Sequence, residues 1–196
     1  MKKTKELSIK TQFKEAKSYL GESKHYIFIA IGLFIFASIV GFLFQENLSF
    51  LDLLLKDLLE KTMNLNTPEM TFFILQNNLQ SAFISIILGI VLGIFPLVSD
   101  ITNGLILGYV LAKTSAIAGI TSWWRILPHG VFELPAIFIS FGLGIKLGFS
   151  AFINREHRTK EFKRRFYNTM NVFLMVIIPL LIIAAIIEAI LIGFVS

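Results

Sequence analysis

Five stretches of this chain contain no Asp, Glu, Lys or Arg: Tyr26 to Phe44, Phe72 to Ser99, Ile101 to Ala112, Leu134 to Ile145 and Val172 to Ile187. Crossing the hydrocarbon core of a bilayer takes roughly 20 mostly apolar helical residues, and each run reaches that length once its flanks are included. Within lipid the backbone must satisfy its own hydrogen bonds, so such runs fold as helices. The chain is therefore predicted to be all-α, a polytopic membrane protein of about five transmembrane helices, near residues 26–44, 77–97, 99–118, 129–149 and 171–195. An apolar content of 55%, with 20 Phe, suits side chains that face lipid better than a soluble core.

The net charge of +5 is concentrated in two short segments. One holds Lys2, Lys3, Lys5, Lys10, Lys14, Lys17 and Lys24; the other holds Arg155, Arg158, Lys160, Lys163, Arg164 and Arg165. Both flank apolar runs and four crossings separate them, so both fit the cytoplasmic side of a plasma membrane. The N-terminus is then inside and the C-terminus outside, and no nucleic-acid partner is expected. Residues 1–24 read as a basic cytoplasmic segment, with Ile9, Phe13, Ala16 and Leu20 at helical spacing. That pattern fits an amphipathic helix on an anionic membrane face or a solvated tail. Residues 25–196 form a single transmembrane domain. Charged and polar residues precede the first apolar run and no small-residue cleavage site follows it, so that run reads as a retained helix.

Between the first two spans the acids Glu46, Asp52, Asp57, Glu60 and Glu69 outnumber Lys56 and Lys61. Ser49 and Asp52 resemble a capping pair, and Leu51, Leu54, Leu55 and Leu58 share one face, which predicts an outer interfacial helix near 49–62. Pro96 is expected to end the second span, with a very short turn before the third. Lys113 and a Gly-, Ser- and Thr-rich stretch leave a re-entrant or broken helix open between the third and fourth spans. Trp123, Trp124 and Arg125 read as an interfacial belt, with Pro128 opening the fourth span.

Ionisable groups inside spans are costly and are usually paired or functional. Here they are Lys113, Glu133, Lys146 and Glu188, with His129 at the edge. Lys113, His129, Glu133, Glu188 and Asn78 fall towards the outer ends of their helices; Asp100, Asn103 and Lys146 fall towards the inner side. His129 and Glu133 share a helix face that Pro128 and Gly130 present. They could shuttle a proton or hold a cation, or they could make an interhelical contact with Lys113 or Arg125 that only fixes packing. One His and one Glu fall short of a catalytic metal set, and there is no serine-nucleophile elbow or phosphate-binding glycine loop. No catalytic residue and no cofactor are assigned, and the identity of any metal is left unknown.

Gly89 and Gly93, Gly104 and Gly108, and Gly144 and Gly148 are spaced for close helix approach. Phe83 to Gly93 and Phe138 to Gly148 are identical at most positions, and read as two copies of one helix running in the same direction, with Asn78 matching Glu133. Leu, Ile and Gly are common enough in membrane helices that the match alone carries little weight.

Asn77 to Gly148 resembles the stage II sporulation protein M family. The resemblance is carried by Asn78, the Gly89 and Gly93 helix, the Asn103-Gly104 pair, and above all Pro128-His129-Gly130 followed by Glu133-Leu134-Pro135-Ala136. In sporulating bacteria a member of that family is a membrane scaffold for peptidoglycan-degrading enzymes. The resemblance thus implies a non-enzymatic scaffold or partner subunit, with the lipid bilayer, other membrane proteins or a second copy of the chain as partners. It also implies that His129, Glu133, Asn78 and Asn103 are the residues of interest. A small cation- or proton-coupled transporter built around Glu133 is the alternative, and a metal-dependent intramembrane enzyme is the third reading.

Overall fold

The computed structural model describes residues 8–125 and 127–195. The side chains of Arg125, Pro128, His129 and Glu188 lie outside the described residues, as does Trp124. The described chain is helical throughout: α1 (Ile9–Leu43), α2 (Leu51–Thr62), α3 (Thr67–Gly89), α4 (Ile94–Ala118), α5 (Leu127–Gly148), α6 (Arg155–Val172) and α7 (Ile178–Val195). Short 3-10 turns join several of them, and one wide π turn, Phe173–Ile177, joins α6 to α7. Five helical stretches are long and apolar enough to cross a membrane: α1, α3, α4, a stretch centred on α5, and the continuous run from α6 into α7.

At the centre stands α5. Two thirds of its apolar window is buried (67%), against 22–39% for the others, and Phe141, Leu143 and Leu147 are fully enclosed. The outward faces of the surrounding helices carry exposed Phe28, Phe36, Ile39, Val98, Ile183 and Ile186, which suits contact with hydrocarbon rather than water.

Glycine sets the helix spacing. A Cβ on Gly89 would stand 2.6 Å from the Gly144 carbonyl oxygen, and one on Gly148 would run into the Gly93 backbone. Gly144 also meets the Ser85 carbonyl and Gly148 the Gly89 carbonyl, contacts four residues apart on both helices that place α3 and α5 side by side in the same direction. They pair the two similar segments in register. In the same way α1 and α4 run together, with Gly104 against Phe34 and Ala37, and Gly108 against Ser38 and Phe42. Against α5, α1 runs the opposite way, since Ile27 meets Gly142 and the rings of Phe34 and Phe138 pack at 5.1 Å.

Several boundaries differ from the sequence expectation. The second span does not run to Leu97: α3 ends at Gly89, and the chain turns through Leu92 (φ 56°) and Gly93 (φ 70°). The left-handed backbone at Gly93 makes the turn, and Pro96 lies in the first turn of α4, where a missing N–H breaks no helical bond. The start of α3 lies ten residues before the expected 77, at Thr67, and is capped by Asn66, whose side chain accepts from the Glu69 N–H (3.0 Å) while Glu69 accepts from the Asn66 N–H (2.9 Å). Between α4 and α5 lies a 3-10 helix, Ile120–Arg125, entered through Gly119 (φ 76°). Residues 9–24 are continuous with the first span, because nothing between them breaks a helix. That half of α1 buries Ala16, Tyr19 and Ser23, and leaves Ile9 and Phe13 exposed. Its residues meet α6 in opposite chain order, Gln12 beside Asn171 and Glu22 beside Arg164.

Candidate functional site

Polar side chains gather at three levels of the bundle. At the basic end, Lys146 leaves the last turn of α5 and is almost wholly buried (2% exposed). A buried ammonium needs a counter-ion and hydrogen-bond acceptors. Here Lys146 Nζ donates to Glu22 Oε1 (2.8 Å) and Ser23 Oγ (3.0 Å) and sits 3.9 Å from the Tyr19 ring centroid. Arg164 donates from both terminal nitrogens to the two Glu22 oxygens (2.9 and 2.7 Å), the paired geometry that a guanidinium fits. Glu161 bridges Arg164 and Arg165, and Arg165 Nη1 donates to the Lys146 carbonyl (2.6 Å) at the end of α5. The result is a network that ties α1, α5 and α6 together.

At the opposite end, Tyr109 on α4 donates its hydroxyl proton to Asp52 Oδ1 (2.6 Å), and Lys113 stands 3.4 Å from Asp52 Oδ2. The Tyr109 hydrogen bond, with Lys113 assisting, holds the Asp52 carboxyl below the usual aspartate range. The expected capping pair is not formed, since the residue before α2 is Phe50 and no side chain caps it. Asp52 instead fastens α2 to α4, one turn of carboxylate against a tyrosine. Beyond Leu51, which is buried, the α2 side chains are exposed or half-buried.

The residues singled out by the motif are distributed between these levels. Glu133 is half-buried on α5 and has an interaction partner. The in-register pairing of α3 and α5 brings Asn78 to the same level, with its amide nitrogen sealed from solvent and without a partner among the described residues. Gly130 and Pro135 lie on α5, Pro135 inside the helix. Asn103 is exposed, donates to the Ser99 carbonyl (2.8 Å), and with Ser81, Ser99 and Thr102 lines a groove of about 260 Å³ between α3 and α4. Trp123 donates to Ser115 Oγ (2.7 Å) and packs edge-on to Phe42. Among the described residues no three His, Cys, Asp or Glu side chains converge to hold a metal ion.

The sequence matches the Stage II sporulation protein M family over residues 28–191, from within α1 to within α7. The chain belongs to this family. It is 34% identical over 133 residues to an uncharacterized protein, MJ0706, of Methanocaldococcus jannaschii, a match that takes in 66% of this chain and 59% of the relative's length. The chain thus spans less than two thirds of that relative. No solved structure matches it. The stage II sporulation protein M match contains Lys146, Arg164 and the Glu133 motif, but begins after Glu22 and Ser23.

The partners of Lys146 were missed in the sequence because they stand more than 120 residues away in another helix. A signal existed nonetheless. A lysine inside a span requires a carboxylate at the same level, and Glu22 lies just before the first apolar run, at the same membrane face.

Proposed function

We infer that this protein is a non-enzymatic membrane scaffold or partner subunit, anchored in the plasma membrane with its basic end in the cytoplasm. The observation that carries this reading is where its charges go. Lys146 is held by Glu22 and Ser23, Lys113 stands against Asp52, and Glu133 is engaged. Charges used in this way fix the relative positions of helices, as a rigid platform for other membrane proteins requires. The role implied by the family resemblance, recruitment of wall-degrading enzymes, fits the same platform.

The test is Glu133→Gln in the full chain, reconstituted in lipid vesicles. A scaffold loses thermal stability and shows no change in ion flux. Loss of a proton or cation flux by a variant that remains folded would overturn the reading and favour a small transporter centred on Glu133.

A further inference from the structure

Asp100 lies on α4 one turn beyond Pro96 and one turn before Gly104, and it is fully enclosed (0% exposed). Contacts on both sides seal it. Pro96 Cγ stands 3.1 Å from the position a Cβ on Gly144 would take, and Gly104 abuts the Phe34 carbonyl and the Ala37 side chain. Asp100 thus occupies the wedge where α4 leaves α5 and joins α1. Both of its carboxyl oxygens lack a hydrogen-bond partner. On the adjoining α3, Ser85 meets the same Gly144, and its buried hydroxyl also lacks a partner.

An ionised carboxylate in such a place would lose its hydration and gain no partner in return, which strongly disfavours the charged form. The charged groups on the elements packed against α4 are committed elsewhere or stand apart. On α5, Lys146 is paired with Glu22 of α1, and Glu133 is engaged; on α4 itself, Tyr109 and Lys113 meet Asp52. On α1, Lys24 and His25 are exposed, as is Glu46 in the following 3-10 turn. Glu69 is bound in the cap of α3. Among the described residues none of these pairs with Asp100. An alkali or divalent cation would need several more oxygen ligands, and the two orphaned side chains supply too few. A proton needs one. It removes the charge and turns one orphaned oxygen into a donor.

We propose that Asp100 is a proton-binding site, a carboxylic acid carried neutral inside the bundle, which exchanges its proton only when the helices open locally. This site is distinct from the Glu133 level and does not depend on the scaffold reading.

Two measurements on the full chain in lipid nanodiscs test it. The infrared spectrum at neutral pH should contain a protonated-carboxyl C=O band that shifts in D2O, disappears reversibly as the pH is raised, and is absent from Asp100→Asn. Because Asp100→Asn removes a residue from a tight contact, the second measurement uses the unmodified protein. Labelling the aspartate side-chain carboxyls with 13C should move the band to lower frequency, and labelling the glutamates should leave it in place. No band difference between the two proteins, or a band that ignores the aspartate label, would overturn the proposal.

Discussion

Replacing Gly89 by Ala places a methyl group 2.6 Å from the Gly144 carbonyl oxygen and 2.7 Å from its Cα, both of them backbone atoms that cannot rotate away. Ordinary contact begins at 3.4 Å, so relieving the 2.6 Å contact requires α3 and α5 to part by about 0.8 Å along the seam that joins them. A gap of roughly 0.5–1 Å forfeits a quarter to a half of the dispersion attraction between facing atoms, and overpacking of this kind costs about 1–3 kcal/mol. Gly32, on α1, is the internal control, since a Cβ there meets nothing within 4 Å. Alanine at Gly32 should be neutral or stabilising by up to about 1 kcal/mol through helix propensity. The assay is unfolding by SDS titrated into mixed micelles, followed by circular dichroism. The expected order of stability is Gly32→Ala, unmodified protein, Gly89→Ala. If Gly89→Ala unfolds at the same SDS fraction as Gly32→Ala, the α3–α5 seam is not as described.

Glu22→Gln should destabilise the protein by about 1–3 kcal/mol, because it leaves the buried Lys146 without its counter-ion while Glu22 itself keeps partial contact with water. Lys146→Met should cost less, and the double variant should recover most of the loss in the same SDS titration. A carboxyl held below its usual range contributes stability above that range and loses it as the pH falls through the folded value. The α2 to α4 attachment at Asp52 should therefore loosen in acid, an effect that spin labels on Leu58 and Ser115 would report as a growing distance and that Tyr109→Phe should weaken. The chain contains no cysteine, so single cysteines can be introduced cleanly. Lys14→Cys and Leu58→Cys in intact cells should label from opposite sides of the membrane, only the second with an impermeant maleimide.

Hydropathy made the spans legible because a run without charges has few folds open to it in lipid. It could not place the turn between α3 and α4, where Ile90 to Leu97 is apolar throughout and the only punctuation is backbone geometry at Leu92 and Gly93. Pro96 drew attention as a stop, although it stands near a helix start. The Asn66, Pro68 and Glu69 cap was readable and lay outside the expected span, since the polar residues after it resembled a loop. Spacing revealed the glycine pairs but not their partners, which are set by which helices meet. The same limit applies to Lys146 and Lys113. That each needed a counter-ion follows from its depth, but whether this came from Glu22 or Asp52 depends on contacts between distant parts of the chain.

Six glycines at the three spaced pairs are each pressed against another helix of the same molecule. Motifs of that type commonly let two separate membrane chains associate. Here the α3 and α5 segments behave as such a pair fused into one polypeptide, and α1 with α4 as a second. Their association valence is thus satisfied within the monomer. A neighbour in the membrane, whether another copy or a different protein, would have to engage the helices through side chains, at their lipid-facing ridges or at the ends of the bundle.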